Sequence, residues 1–133
     1  MNDLMSKIEQ PGANRAEYID ELTDMLDDGA LNDEETIFVV ERLTELLGHN
    51  DEPAVWESVF NLFGSVSGDQ ILLAKITEFT VKHLFQLNPG CLVHAIPIIC
   101  DSTRPDKNEL IRTFLDSSNA AVKRIAIRYM GEI

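Results

Sequence analysis

The sequence predicts an all-α fold, and three observations indicate it. Apolar residues recur at spacings of three and four, as one buried face of a helix requires. Asn, Asp, Gly and Pro residues flank these segments at the positions of helix caps and helix ends. No stretch alternates apolar and polar residues for long, and no Asn-Gly or Asp-Gly pair joins two such stretches. We therefore expect about seven helices joined by short polar turns, forming a right-handed stack of hairpins.

The first half of the chain contains three of these helices. Asn14-Arg-Ala-Glu17 and Asn32-Asp-Glu-Glu35 both have the spacing of a capping box and each opens a helix. Gly29 and Gly48 follow the ends of these two helices, and Pro53 fits the first turn of a third. The expected ranges are 14–28, 32–47 and 53–66.

The second half contains four more helices. Asp69 caps the first of them, which runs to about residue 87, and Asn88-Pro-Gly90 then opens the next. Pro97 lies inside that helix and is expected to kink it. The last two cover 106–115, where Asp106-Lys-Asn-Glu109 is another capping-box variant, and 120–133. At 133 residues the chain has the length of a single domain, and we expect one domain over 1–133.

Two segments of the chain repeat each other at an offset of 67 residues, 53–66 and 120–133. Apolar positions match apolar positions, which predicts stacked helical units. The positions expected to face the interior are Val55, Val59, Phe63, Val122, Ala126 and Met130. Gly64 matches Gly131, and both lie near helix ends, where glycine permits close backbone approach or a left-handed turn.

The second copy resembles the second helix of a HEAT-like repeat. That pattern has a turn, a small residue, Val, a basic residue, Ala, a few apolar positions, Leu and Gly. Its positions are occupied here by Val122, Lys123, Ala126, Met130 and Gly131. In the first copy Trp56 takes the place of the basic residue, so we expect it to be partly exposed, as a contact residue or as a lid on the edge of the core. The resemblance implies a stack of helical hairpins whose function is binding.

Negative charge is concentrated in the first half of the sequence. The first sixty residues contain sixteen acids and three bases and so have a net charge of −13. The remaining residues have a net charge of +1, which gives −12 for the whole chain. Six of these acids recur at spacings of three and four and form one face of the first expected helix, the acidic stripe: Glu17, Asp20, Glu21, Asp24, Asp27 and Asp28. The opposite, buried face is expected to hold Tyr18, Leu22, Met25 and Leu26.

The acidic stripe contains like charges one helical turn apart. Three pairs at i,i+4 each destabilise the helix by roughly 0.2–0.5 kcal/mol. We expect this surface, extended by Asp33 and Glu34 and by Trp56, to bind a basic protein. The alternative is a face that is merely solvated.

Catalysis, cofactor binding and metal binding find no support in the sequence. The acidic stripe has no base partner, and no glycine-rich phosphate loop is present. His49, His83 and His94 are scattered and are not paired with Cys or acids at ligand spacing. We therefore expect no enzyme, no catalytic or metal site, no cofactor and no small-molecule substrate.

Nucleic acids and membranes are also unexpected partners. An acidic chain repels phosphate, and its one basic cluster is Lys123, Arg124 and Arg128. No apolar run approaches the roughly 18 residues that span a bilayer, and the N-terminus does not have the pattern of a secretory signal. Cys91 and Cys100 are separated by about 13 Å along one helix, too far for a disulfide. These features favour a cytoplasmic protein.

Protein recognition is the remaining class of function. A small acidic chain with helical repeats is similar to the immunity proteins of contact-dependent growth inhibition systems, some of which are helical. This likeness of size, charge and fold implies an inhibitor that neutralises a basic partner, for example a nuclease-type toxin domain. The alternative is a HEAT-like scaffold or adaptor in a larger assembly. A third hypothesis, a HEAT-like accessory lyase, lacks a nucleophile, because Cys91 and Cys100 lie on an apolar helix.

Overall fold

A computed structural model describes residues 1–10, 12, 14–50 and 52–131, and every regular element in these ranges is helical. The all-α prediction is therefore confirmed. The helices are α1 (Asn2–Glu9), α2 (Arg15–Asp27), α3 (Asp33–Leu47), α4 (Pro53–Ser65), α5 (Gln70–His83), α6 (Pro89–Cys100), α7 (Lys107–Arg112) and α8 (Ala120–Met130), with a 3-10 turn at Leu84–Gln86 after α5.

Helix α1 was not predicted, so the described residues contain eight α-helices instead of about seven. No side chain caps its first turn, which explains the missing sequence signal. Its side chains Met5 and Ile8 are buried. The Arg15 guanidinium donates to the carbonyl oxygens of Gln10 at 2.8 Å and Glu9 at 3.1 Å, and so satisfies the C-terminal end of the helix. Burial of Met5 and Ile8 and the hydrogen bonds from Arg15 therefore support this helix, where a side-chain cap does not.

The described chain forms two compact units, Met1–Leu72 and Leu73–Ile133. In unit 1, helix α2 packs along α4 and also contacts α1, while α3 packs against α4. In unit 2, helix α6 packs along α8, and α7 contacts both. The largest fully buried side chains are Ile8, Ile19, Leu22, Leu43, Phe60, Leu62 and Phe63 in unit 1, and Ile76, Leu84, Ile96, Ile99 and Ile111 in unit 2.

The two units share an order of packing that agrees with the sequence repeat. The pair α2–α4 corresponds to α6–α8, and the pair α3–α4 corresponds to α7–α8. The expected inward positions Val55, Val59, Phe63, Val122 and Ala126 are all buried. Met130, in contrast, is only half-buried, because it is the last residue of α8. Ile133, the partner of Val66 in the repeat, lies outside the described residues, and membership of the HEAT-like class stays a prediction.

Helix caps form where the capping residue has an extended backbone. Asn32 (ψ 177°) accepts from the Glu35 N–H and forms the expected capping box, and Asn88 (ψ 167°) accepts from the Cys91 N–H. The Asp69 carboxylate caps α5 by accepting from two backbone N–H groups. The capping boxes predicted at Asn14 and Asp106 are wrong. Both residues have ψ near zero (15° and 8°), which directs the side chain away from the N–H groups of the first turn.

The Asp106 carboxylate is used differently. It accepts two hydrogen bonds of 2.9 Å from the Arg104 guanidinium, which lies two residues before it. These bonds, and the nearby positive charge, lower the pKa of Asp106. Arg104 also donates to Glu78 at 2.7 Å and so links the α6–α7 turn to α5.

Gly29 ends α2 as predicted, whereas the two glycines of the repeat do not have the predicted conformation. Gly29 has φ +74°, and the bonds Ala30 N–H to Met25 O and Gly29 N–H to Leu26 O form a Schellman motif. Gly64 and Gly131 have neither of the properties expected from the sequence. Neither has a positive φ, and a Cβ at Gly64 would have no neighbour within 4 Å. A Cβ at Gly131 would meet the carbonyl oxygens of Arg128 and Ile127 at the ordinary contact distances of 3.4 and 3.7 Å.

Several helix ends differ from the sequence-based ranges. Helix α5 ends at His83, before the 3-10 turn, and α7 ends at Arg112 instead of residue 115. Pro97 lies inside α6, which continues to Cys100. Neither Cys91 nor Cys100 is part of a disulfide, and Cys91 is buried.

Candidate protein-binding surface

Helix α2 separates a buried face from a charged one. Ile19, Leu22 and Thr23 are buried, and the Thr23 hydroxyl donates to the Ile19 carbonyl oxygen at 3.2 Å. The sequence analysis identified Leu22 but missed Ile19 and Thr23. Tyr18, Met25 and Leu26, which were expected to be buried, are only half-buried. Tyr18 and Met25 lie at the edge of the face centred on Ile19 and Leu22, and Leu26 lies in the last turn of the helix.

The acidic stripe is fully formed on the other face. All six of its residues are exposed, as the periodicity predicts: Glu17, Asp20, Glu21, Asp24, Asp27 and Asp28. The last turn of α2 contains no base. Acids at a helix C-terminus oppose the helix dipole by typically 0.3–1 kcal/mol each. The arrangement therefore lowers the stability of α2 itself.

Asp33 and Glu34 continue the negative surface beyond the turn after α2. Both are exposed, in the first turn of α3 next to the capping box of Asn32 and Glu35. Acids at this end of a helix are favoured by the dipole. These two residues therefore have a structural benefit that Asp27 and Asp28 do not have, and their part in binding stays a prediction.

The three bases of unit 1 engage groups outside the acidic stripe. Lys7 lies 5.4 Å from the centre of the Tyr18 ring, and Arg15 binds the C-terminal carbonyls of α1. The Arg42 guanidinium donates to Glu9 Oε1 through Nε at 2.6 Å, and this bond and charge raise the pKa of Arg42. All three bases thus hold α1 to its neighbours.

Unit 1 has a large excess of negative charge. Residues 1–72 contain 17 acids and three bases, a net charge of −14, while residues 73–133 contain six acids and eight bases, a net charge of +2. Unit 1 is thus more negatively charged than the whole chain, whose net charge is −12. The negative potential of unit 1 thus has little internal compensation.

Trp56 is half-buried, as the sequence predicts. Its indole N–H donates to the Asn50 carbonyl oxygen at 2.6 Å, and its ring stacks on Phe60 with centroids 6.3 Å apart. These contacts support a role at the edge of the core. A role in partner binding stays a prediction.

Among the described residues, no three His, Cys, Asp or Glu side chains group as metal ligands. Unit 1 has a polar cavity of about 180 Å³ whose lining includes Asp33, Thr36 and Asp69. The Asp69 carboxylate already accepts the N–H groups of Ile71 and Leu72.

Comparisons with family models, with curated proteins and with solved structures give no match for this chain. Within the described ranges, every helix is too short or too polar to cross a bilayer.

Proposed function

We propose that the chain is a non-catalytic protein-binding module, an acidic immunity or inhibitor protein of the cytoplasm that neutralises a basic, nuclease-type toxin domain. One observation carries the proposal. The acidic stripe is exposed along the whole of α2, while the bases of unit 1 engage groups elsewhere.

The stripe has the dimensions of a macromolecular contact. Helix α2 has 13 residues and is therefore about 20 Å long at a rise of 1.5 Å per residue. A nuclease surface that binds the phosphate backbone of a nucleic acid is positively charged, so a row of carboxylates is complementary to it. The net charge of −14 on unit 1 also steers such a partner and raises the association rate.

The energetic cost of the stripe supports a role outside the monomer. The pairs Glu17–Glu21, Asp20–Asp24 and Asp24–Asp28 together destabilise α2 by about 1 kcal/mol. Lysines at some of these exposed positions would remove the repulsion without disturbing the buried face. Cations of a basic partner would be attracted to these carboxylates and would offset the repulsion between them.

The test uses a stripe variant with four charge reversals, Asp20→Lys, Asp24→Lys, Asp27→Lys and Asp28→Lys. A matched control reverses four exposed acids elsewhere, Glu45→Lys, Glu52→Lys, Asp101→Lys and Asp116→Lys. Wild-type protein, immobilised as bait, captures the partner from the native host, and stopped-flow mixing then gives the association rate with the purified partner. We expect the stripe variant to associate at least tenfold more slowly than the control, because reversal replaces attraction by like-charge repulsion.

Salt provides the second measurement. The wild-type association rate should fall steeply as salt rises, since the Debye length shrinks from about 10 Å at 0.1 M to about 3 Å at 1 M. Equal rates for the stripe variant and the control, together with a rate insensitive to salt, would rule out the acidic stripe as the recognition surface. An acidic partner would rule out the nuclease-type assignment.

The second candidate function is a HEAT-like scaffold or adaptor. The shared packing of α2–α4 and α6–α8 favours it, because stacked helical units usually present binding surfaces. Activity of the captured partner separates the two functions. An inhibitor abolishes that activity at equimolar ratio, whereas a scaffold leaves it unchanged.

A further inference from the structure

Helix α8 has an exposed basic face with an apolar residue within it. Val122 and Ala126 are buried on one side of the helix. The opposite side, the basic face of α8, consists of Lys123, Arg124, Ile127 and Arg128, all of them exposed. No acid occurs in residues 120–130. Ile127 is 55% exposed, one of the most exposed large apolar side chains of the described chain.

The repeat shows that this position is covered in the other unit. Ile127 matches Phe60 at the offset of 67 residues, and Phe60 in α4 is completely buried. Its ring stacks on Trp56 and meets Phe63 edge-on at 5.5 Å. The matched helix α8 thus keeps an apolar residue at a position that is covered in α4 and open in unit 2.

We propose that the basic face of α8 docks a second copy of this chain through the acidic stripe of the copy's α2. The charges are complementary, with three bases on α8 and six exposed carboxylates on α2. The spacing also agrees, because Arg124 and Arg128 lie one turn apart, as do Glu17 and Glu21. The half-buried Tyr18 and Met25 lie beside the stripe and offer apolar surface to Ile127.

Such a contact is heterologous, because the two copies use different surfaces. Each copy carries a net charge of −12, so the copies repel one another at long range. At physiological ionic strength the Debye length is about 8 Å, which screens that repulsion and leaves the short-range pairs between α8 and α2. The contact also covers the acidic stripe, so self-association and a basic partner compete for the same surface.

Charge exchange between two variants tests the contact without a foreign partner. The first is the α8 variant, Arg124→Glu with Arg128→Glu, and the second is the stripe variant defined above. Lys82→Glu with Arg112→Glu is the matched control for the α8 variant, since both residues are exposed bases of unit 2. Sedimentation velocity over a concentration series in about 0.15 M salt gives the average mass, and circular dichroism verifies the helix content of each variant.

We expect the average mass of the wild type and of the control to rise with concentration from 14.9 kDa to twice that value and beyond, because a heterologous contact leaves one basic face and one acidic stripe open on each dimer. The α8 variant and the stripe variant should each remain monomeric, because both of their surfaces then have the same sign. An equimolar mixture should associate again, since each surface meets one of opposite sign. The proposal is overturned by a wild type that stays monomeric throughout, by variants that associate as the wild type does, or by a mixture that remains monomeric.

Discussion

Two segments with the same capping spacing should differ in their contribution to stability. Asn14-Arg-Ala-Glu17 and Asn32-Asp-Glu-Glu35 have the same cap and third residues. At Asn32 both hydrogen bonds form, from the Glu35 N–H to Asn32 Oδ1 at 2.8 Å and from the Asn32 N–H to Glu35 Oε1 at 3.1 Å. The side chain of Asn14 makes no capping bond.

Asn32→Ala should therefore lower the free energy of unfolding by about 1 kcal/mol, the typical value for loss of an N-cap. For a chain of this length that corresponds to a fall in Tm of about 4 °C. Asn14→Ala should change stability by less than about 0.3 kcal/mol, because the substitution removes no hydrogen bond. Denaturant unfolding followed by circular dichroism measures both.

Glu35→Ala provides an internal check. In the Asn32→Ala background it should cost less than in the wild type, because the two side chains form one reciprocal motif and their effects are not additive. Equal losses at Asn32 and Asn14, or no loss at Asn32, would refute the argument from backbone angle to cap strength.

Three further predictions concern other contrasts in the structure. Phe60→Ala should lower the free energy of unfolding by about 3–5 kcal/mol, because the side chain is fully buried. Ile127→Ala, at the matched but exposed position, should change it by less than about 0.5 kcal/mol. Similar losses of stability in thermal unfolding would contradict this difference. Gly64→Ala should stabilise the protein by about 0.5–1 kcal/mol, because the position is helical and open, while Gly29→Ala should destabilise it by about 1 kcal/mol because φ is positive. The folded pKa of Asp106 is lowered, so its ion pair contributes stability above the unfolded pKa and loses that contribution as pH falls through the folded one. Asp106→Asn should therefore make the free energy of unfolding depend less on pH below about pH 4. The same pH dependence in the variant and the wild type would contradict this.

The sequence predicted those parts of the fold that depend on local periodicity. The exposure of Asp20 and Asp24 and the burial of Val55 and Val122 followed directly from helical spacing. Helix α1 did not, because no side chain caps its first turn and one of its contacts comes from Arg42, 33 positions away from Glu9. The residue pattern of a capping box likewise does not specify the backbone angle that makes it effective.

The candidate surface shows the same division. Spacing placed the acidic stripe on one face, but it could not show that the bases of unit 1 are engaged elsewhere, since Arg42 reaches Glu9 across 33 positions. The half-burial of Tyr18 and Met25 depends on how α2 is rotated against α4, which the sequence of α2 alone does not determine. Similarly, the open position of Ile127 follows from the packing of unit 2 and not from the repeat.

The attachment of α1 has a consequence for how the protein opens. A helix of eight residues is too short to persist alone in water, so α1 is helical only while its contacts hold. Three of those contacts involve cations at the surface, and salt weakens such interactions. Raising the ionic strength should therefore speed amide hydrogen exchange in α1 before it affects α4, and each opening would briefly uncover Met5 and Ile8. The N-terminus is thus a region of low local stability whose opening responds to salt independently of the rest of the core.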